Sequence, residues 1–262
     1  MRRLIIAYAG FIAAFLAFGA TIILTLSLAF PCYGNDAYFV HFKKKAAAGG
    51  GGGGGTVTYV GGNLGDGGAS ASSIGVTYTA TAGNLVVAWA GWDSTPGTVS
   101  MSDGTSAFTA GTQAHNTDGA DTYGQFFYLL SANGGSKTYT VTFGATVDWP
   151  TLTIMEFNVT SGTWLLDAQN IGTGYSTAAA SGAINTASTS EAVVGGYRSG
   201  SVGTTSSELI NGVSATEDAA ISPNGLDSVW YRIPVATFSG GTASATVANQ
   251  RWIVNVISFK AQ

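Results

Sequence analysis

The chain has 262 residues, of which 9% are charged and 38 are glycine, against about a quarter charged and 7% glycine in ordinary soluble domains. Its net charge of −4 is unevenly placed: residues 1–45 hold five basic residues and one acidic, residues 46–262 five basic and thirteen acidic, so the long remainder has no basic stripe for a nucleic-acid backbone. The single cysteine, Cys32, excludes an intrachain disulfide and with it a disulfide-stapled miniprotein.

The first element is Leu4 to Phe30, an uncharged run preceded by Arg2 and Arg3 and closed by Pro31. As a helix it measures about 40 Å at 1.5 Å per residue, enough to cross a hydrocarbon core of roughly 30 Å. Two readings stay open: a retained membrane anchor, or a cleaved secretion signal ending at Ser27-Leu28-Ala29, although its apolar region exceeds the usual signal length. Lys43 to Lys45 close this basic-flanked unit, and Ala46 to Gly55, ending in seven glycines, reads as a flexible tether with no side chains to pack.

Beyond the tether the pattern is β. Lys137 to Phe143 alternates polar and apolar residues and puts Tyr139, Val141 and Phe143 on one face, as a half-buried strand does. Similar runs are Thr56 to Val60, Ile74 to Ala80, Leu85 to Trp92, Gln125 to Leu130, Leu152 to Val159, Ala192 to Tyr197, Ser228 to Ile233, Ala243 to Val247 and Trp252 to Phe259. The intervening Gly, Asn, Asp, Ser and Pro clusters carry turn chemistry. Many short strands at this spacing predict an all-β antiparallel sandwich or jelly roll over residues 56–262.

The strands repeat. Tyr128-Leu-Leu-Ser-Ala-Asn-Gly-Gly, leading to Leu152 and Phe157, is echoed by Tyr231-Arg-Ile-Pro and Ser239-Gly-Gly, leading to Val254 and Phe259, and Asn84 to Trp89 is echoed by Ala192 to Tyr197. An internal period predicts two structurally similar halves, 56–160 and 163–262. Because Trp164 to Ala168 runs on from the first half without a linker, one sandwich shared by both halves is favoured over two tandem ones.

Gly83-Asn84-Leu85-Val86-Val87, the turn Ser102-Asp103-Gly104, and Gly134-Gly135-Ser136 running into Lys137 to Phe143, with the Ala/Gly tract ahead of them, resemble uncharacterised Gly/Ser/Thr-rich β-sandwich domains of phage virions, tail- or capsid-associated, and of bacterial surface proteins. The resemblance implies a virion or extracellular surface location and names no ligand. Gly10-Phe11 before an apolar run also resembles the start of a type IV pilin, but Phe15 stands where that family has its glutamate.

Catalytic constellations are sparse. His115 is the one histidine beyond the tether, and no nucleophile-elbow motif accompanies it. Asp148 and Glu156 are the carboxylates a glycan hydrolase of sandwich fold would use. Asn116, Asp118 and Asp121, with Gly119 between them, offer oxygen ligands suited to calcium, without the distal bidentate glutamate of a full calcium loop. The residues for ligand recognition are loop or strand-end aromatics and an acid: Trp92 with Asp93, Tyr123, Trp149, and also Tyr175, since flat rings beside carboxylates suit sugar stacking and hydroxyl hydrogen bonds. Together these features predict a non-catalytic structural or attachment protein with no obligate cofactor. Its partners would be a host or cell-surface glycan or protein, with self-assembly and membrane contact through residues 4–30 as further expectations. A filament subunit and a glycan hydrolase are the alternatives.

Overall fold

A computed structural model of the chain describes residues 55–119, 121–201, 205–220, 226–234 and 236–262, without the side chains of 217–220. The apolar segment at 4–30, its basic flank and the tether up to residue 54 lie outside the described residues. Among the described residues there is no helix, and the fold is all-β, in two antiparallel sheets.

The first half contributes β1 (Val57–Asp66), β2 (Ser70–Ala80), β3 (Leu85–Asp93), β4 (Val99–Ser102), β5 (Thr109–Ala110), β6 (Ala114–Asn116), β7 (Thr122–Leu129) and β8 (Gly135–Val159). The second contributes β9 (Trp164–Ala180), β10 (Glu191–Ser199), β11 (Ser206–Ile210), β12 (Val213–Ser214), β13 (Thr216–Ala220), β14 (Asp227–Arg232) and β15 (Ala243–Ala261). Each half forms its own sheet, and the two orders correspond. In the first, β8 lies beside β3, β3 beside β7, and β7 beside β6. In the second, β15 lies beside β10, β10 beside β14, and β14 beside β13. The registers agree residue by residue: Val87 pairs with Tyr128 as Val194 pairs with Tyr231, and Leu85 with Phe157 as Ala192 with Phe259. The sequence repeat is thus a structural repeat. One difference stands out: β1 and β2 together flank β8, whereas β9 flanks β15 as a single strand.

Two pairs of segments that read as separate strands are single long ones. Lys137 to Phe143 and Leu152 to Val159 are the two ends of β8, and Ala243 to Val247 and Trp252 to Phe259 the two ends of β15. The register between β3 and β8 shifts between Gly91 and Asp93, where Trp149 and Pro150 face the single residue Trp92. This bulge admits a proline inside a strand and bends the strand.

The central strands carry apolar side chains on both faces. Leu85, Val87, Trp89, Phe126, Tyr128, Met155 and Phe157 meet Ala192, Val194, Val229, Tyr231, Ile253, Ile257 and Phe259 of the other half in a shared core. On the opposite face of the first sheet, Val86, Ala88, Trp92, Phe127 and Leu152 are covered by Ile74 and Val76 of β2, Met101 of β4, and Tyr139, Val141 and Phe143 at the start of β8. Val193, Tyr197, Trp230, Trp252 and Val254 are covered in the same way by Ala179, Ile210, Ala243 and Val247. Each half is therefore layered in itself, and the halves pack against each other through a third core. The two sheets, one from each half, thus face each other across the shared core in a sandwich-like fold, and the outer faces of β3 and β10 are covered from within their own halves.

Glycines make that contact close. The Trp89 indole occupies the space above Gly124 of its own sheet and Gly196 of the opposite one, where an added Cβ would lie 2.5 Å from the ring at Gly196. Across the shared core Tyr59 stacks on Tyr231 with ring centroids 4.4 Å apart.

Candidate functional site

An ion cluster centred on the fully buried Arg198 joins the halves beneath the β8 bulge. Arg198 of β10 is 0% exposed; its Nη1 donates to Asp227 Oδ2 at 2.6 Å and its Nε to Asp93 Oδ1 at 3.3 Å. Asp227 also accepts from Thr151 Oγ1 at 2.8 Å and from Trp89 Nε1 at 3.3 Å. Burial pushes the Asp227 carboxyl up, against the pull of Arg198, Thr151 and Trp89. The remaining nitrogen, Nη2, donates to the backbone carbonyl of Trp149 at 3.0 Å. A charge this deep needs hydrogen-bonded partners, and the bond from Nη2 ties the bulge to it.

Above the cluster lies an open cleft of about 530 Å³ lined by Asp93, Ser94, Thr95, Asp121, Asp148, Trp149, Gly200 and Arg251. Both halves contribute, the second through Gly200 and Arg251. Trp149 holds φ at +49° and Ser94 at +71°, left-handed conformations that non-glycine residues adopt only under the constraint of their surroundings. Ser94 Oγ donates to Asp148 Oδ2 at 2.6 Å, and Trp149 N donates to the Ala69 carbonyl at 3.2 Å. The consequence is a tryptophan 40% exposed beside carboxylates, hydroxyls and one guanidinium. Arg251 is held by Thr122 Oγ1 at 3.1 Å and the Gly200 carbonyl at 2.8 Å.

Of the residues expected to recognise a ligand, Trp149 and Asp93 line this cleft. Trp92 and Tyr123 do not: both are buried in the first half's own core. Their rings are parallel at 5.7 Å, and His115 lies flat on Tyr123 at 4.0 Å, a row of three rings across adjacent strands. Sequence position could not separate these from Trp149, since each stands at the edge of an apolar run in the sequence; burial does. Arg251, Ser94 and Thr95 had no motif to announce them.

The oxygen-bearing loop is divided among other tasks. Asn116 is buried, its Nδ2 donating to the Gly174 and Trp252 carbonyls of the second half, and its Oδ1 accepting the Asp118 N–H. Asp118 is exposed. Asp121 meets His115 Nε2 at 3.0 Å and faces the cleft. No three His, Cys, Asp or Glu side chains converge among the described residues.

The carboxylates named for hydrolysis do not form a pair. Asp148 and Glu156 are eight positions apart on β8, about 25 Å at 3.3 Å per residue, far beyond the separations of roughly 5–10 Å that glycoside hydrolysis uses. Glu156 is fully buried and structural: it accepts from Tyr78 Oη at 2.7 Å, from Thr81 N at 2.8 Å and from Asn84 Nδ2, securing the β2–β3 turn.

A second concavity, about 470 Å³, lies among Ser100, Ser102, Asp103, Thr138, Thr140 and Thr142. Burial opposes ionisation of Asp103, but the Ser106 and Thr105 N–H groups and Lys137 outweigh it and lower the pKa. That carboxylate is occupied by its own turn, and no aromatic face borders the concavity, which leaves the Trp149 cleft as the better site.

No family model matches the chain, and no curated protein or solved structure matches it.

Proposed function

We propose that this chain is a non-catalytic attachment or structural protein, displayed on a virion or cell surface, that binds glycans in the Trp149 cleft. The carrying observation is Trp149 itself, an exposed ring held in a left-handed conformation by Arg198 and bordered by Asp93, Asp148, Ser94 and Arg251. An apolar flat face beside fixed acceptors and donors is the chemistry of sugar recognition: the ring stacks on the hydrophobic face of a pyranose, and the polar groups take its hydroxyls. Asp93 and Asp227 are committed to Arg198, and Glu156 to a turn, which supports binding over hydrolysis. The surface location rests on the apolar segment ahead of the tether and on the resemblance to virion and surface domains.

The test is a glycan array probed with the wild-type chain and with Trp149→Ala. Binding by the wild type that Trp149→Ala abolishes supports the reading. A blank array, or binding indifferent to Trp149→Ala, overturns it.

A further inference from the structure

We infer that Tyr175 is a second stacking platform of the same cleft, so that the site takes a linear, uncharged oligosaccharide rather than a single terminal sugar. The inference rests on the glycan reading and deepens it.

Tyr175 lies directly opposite Arg251 in the pairing of β9 with β15, and side chains so placed are about 5 Å apart at Cβ on the same face of the sheet. Which face follows from the neighbours. Gly174 is set against the Trp252 ring on the side of the second half's own core. Tyr175 is therefore on the other face, with Ile171, which packs against the core shared by the halves. That face looks toward the first half, and it emerges from the shared core at Arg251. The guanidinium there is held from both halves, by Thr122 and Gly200, and lines the cleft with Trp149.

Tyr175 is 61% exposed, more than any other large hydrophobic side chain among the described residues. It has no core to fill, and it adjoins the one guanidinium of the cleft. The order Trp149, Arg251, Tyr175 gives two aromatic platforms with a planar donor between them, an arrangement suited to successive units of one chain. Asp93, Asp121 and Asp148 make the lining acidic, which disfavours uronates and sialylated sugars through like-charge repulsion.

The experiment titrates the full chain with cello-oligosaccharides, malto-oligosaccharides and N-acetylated chito-oligosaccharides of one to six units, and with oligogalacturonate, by calorimetry. In at least one neutral series the affinity is expected to rise about tenfold from the shortest binder to the length that reaches Tyr175, the worth of one stacking contact. Tyr175→Ala removes that rise and leaves the shortest binder within about twofold, while Trp149→Ala removes binding at every length and oligogalacturonate binds more weakly than any neutral series that binds. A length-dependent rise that survives Tyr175→Ala, or equal binding of oligogalacturonate, overturns this inference and leaves the glycan reading standing. No binding by any series overturns both. Because Tyr175 is exposed, the variant's thermal midpoint should match the wild type's, so a lost rise is not a folding defect.

Discussion

Arg198 Nη1 lies 2.6 Å from Asp227 Oδ2, with the guanidinium wholly buried and its last nitrogen donating to the Trp149 carbonyl. One side chain of the second half thus neutralises an acid, joins the halves and shapes the cleft. Removing one partner of such a pair leaves an uncompensated buried charge, worth about 3–5 kcal/mol. Arg198→Met should lower stability by that amount in urea unfolding and also raise the susceptibility of the Trp149 segment to proteolysis. A loss below about 1 kcal/mol would contradict the account.

Gly196 faces the Trp89 indole across the shared core, and an added Cβ would lie 2.5 Å from it. Gly196→Ala should cost about 1–3 kcal/mol through overpacking, or several degrees in thermal midpoint for a domain of this size. Combining it with Trp89→Phe should recover part of the loss in a double-mutant cycle. Strict additivity of the two changes would place Trp89 elsewhere.

Glu191 is fully buried, accepts the Ser188 N–H at 2.6 Å, and lies against Asp167, which pairs with Lys260 at 2.9 Å. Burial, reinforced by the Asp167 charge against the pull of the Ser188 and Ala187 N–H groups, pushes its pKa from 4.5 up to about 7. The folded chain therefore holds this proton more tightly than the unfolded chain. The stabilisation is fully present below about pH 4.5, declines as the pH rises, and is lost above about pH 7. About 2–3 kcal/mol should disappear from urea-unfolding stability over that window. Glu191→Gln should flatten the decline, and a variant as steep as the wild type would assign it to another group.

The chain has six tryptophans, and all but Trp149 are buried. Trp149→Phe should abolish the acrylamide-quenchable part of the native fluorescence without moving the thermal midpoint. Persistent quenching would mean that another indole reaches solvent.

Strand existence was legible because β3, β7 and β14 are strongly apolar and β8 begins with strict alternation, so burial and pattern say the same thing. The repeat was legible too, since Tyr128 and Tyr231, or Phe157 and Phe259, occupy equivalent registers. β9 is legible in the sequence only at Trp164 to Ala168. It pairs on one side with β15, and most of its residues are partly or fully exposed, which leaves little hydrophobic period to find. Pro150 hid the continuity of β8, because a proline inside a strand reads as a break unless a bulge receives it.

By itself the sequence determined the class of structure: low charge, turn-rich spacing and period-two segments admit little other than antiparallel sheet, and the internal echo requires two like halves. It also nominated Trp149 and Asp93. Only the tertiary structure decided which aromatic is available, because Trp92 and Trp149 differ not in local sequence character but in what covers them. It likewise brought Arg198 and Arg251 of the second half to acids and hydroxyls of the first, across sequence separations of 105 and 129 residues. Local sequence encodes propensity and pattern, whereas a cleft between two halves is made by the register of one sheet against another, and that register exists only after both have folded.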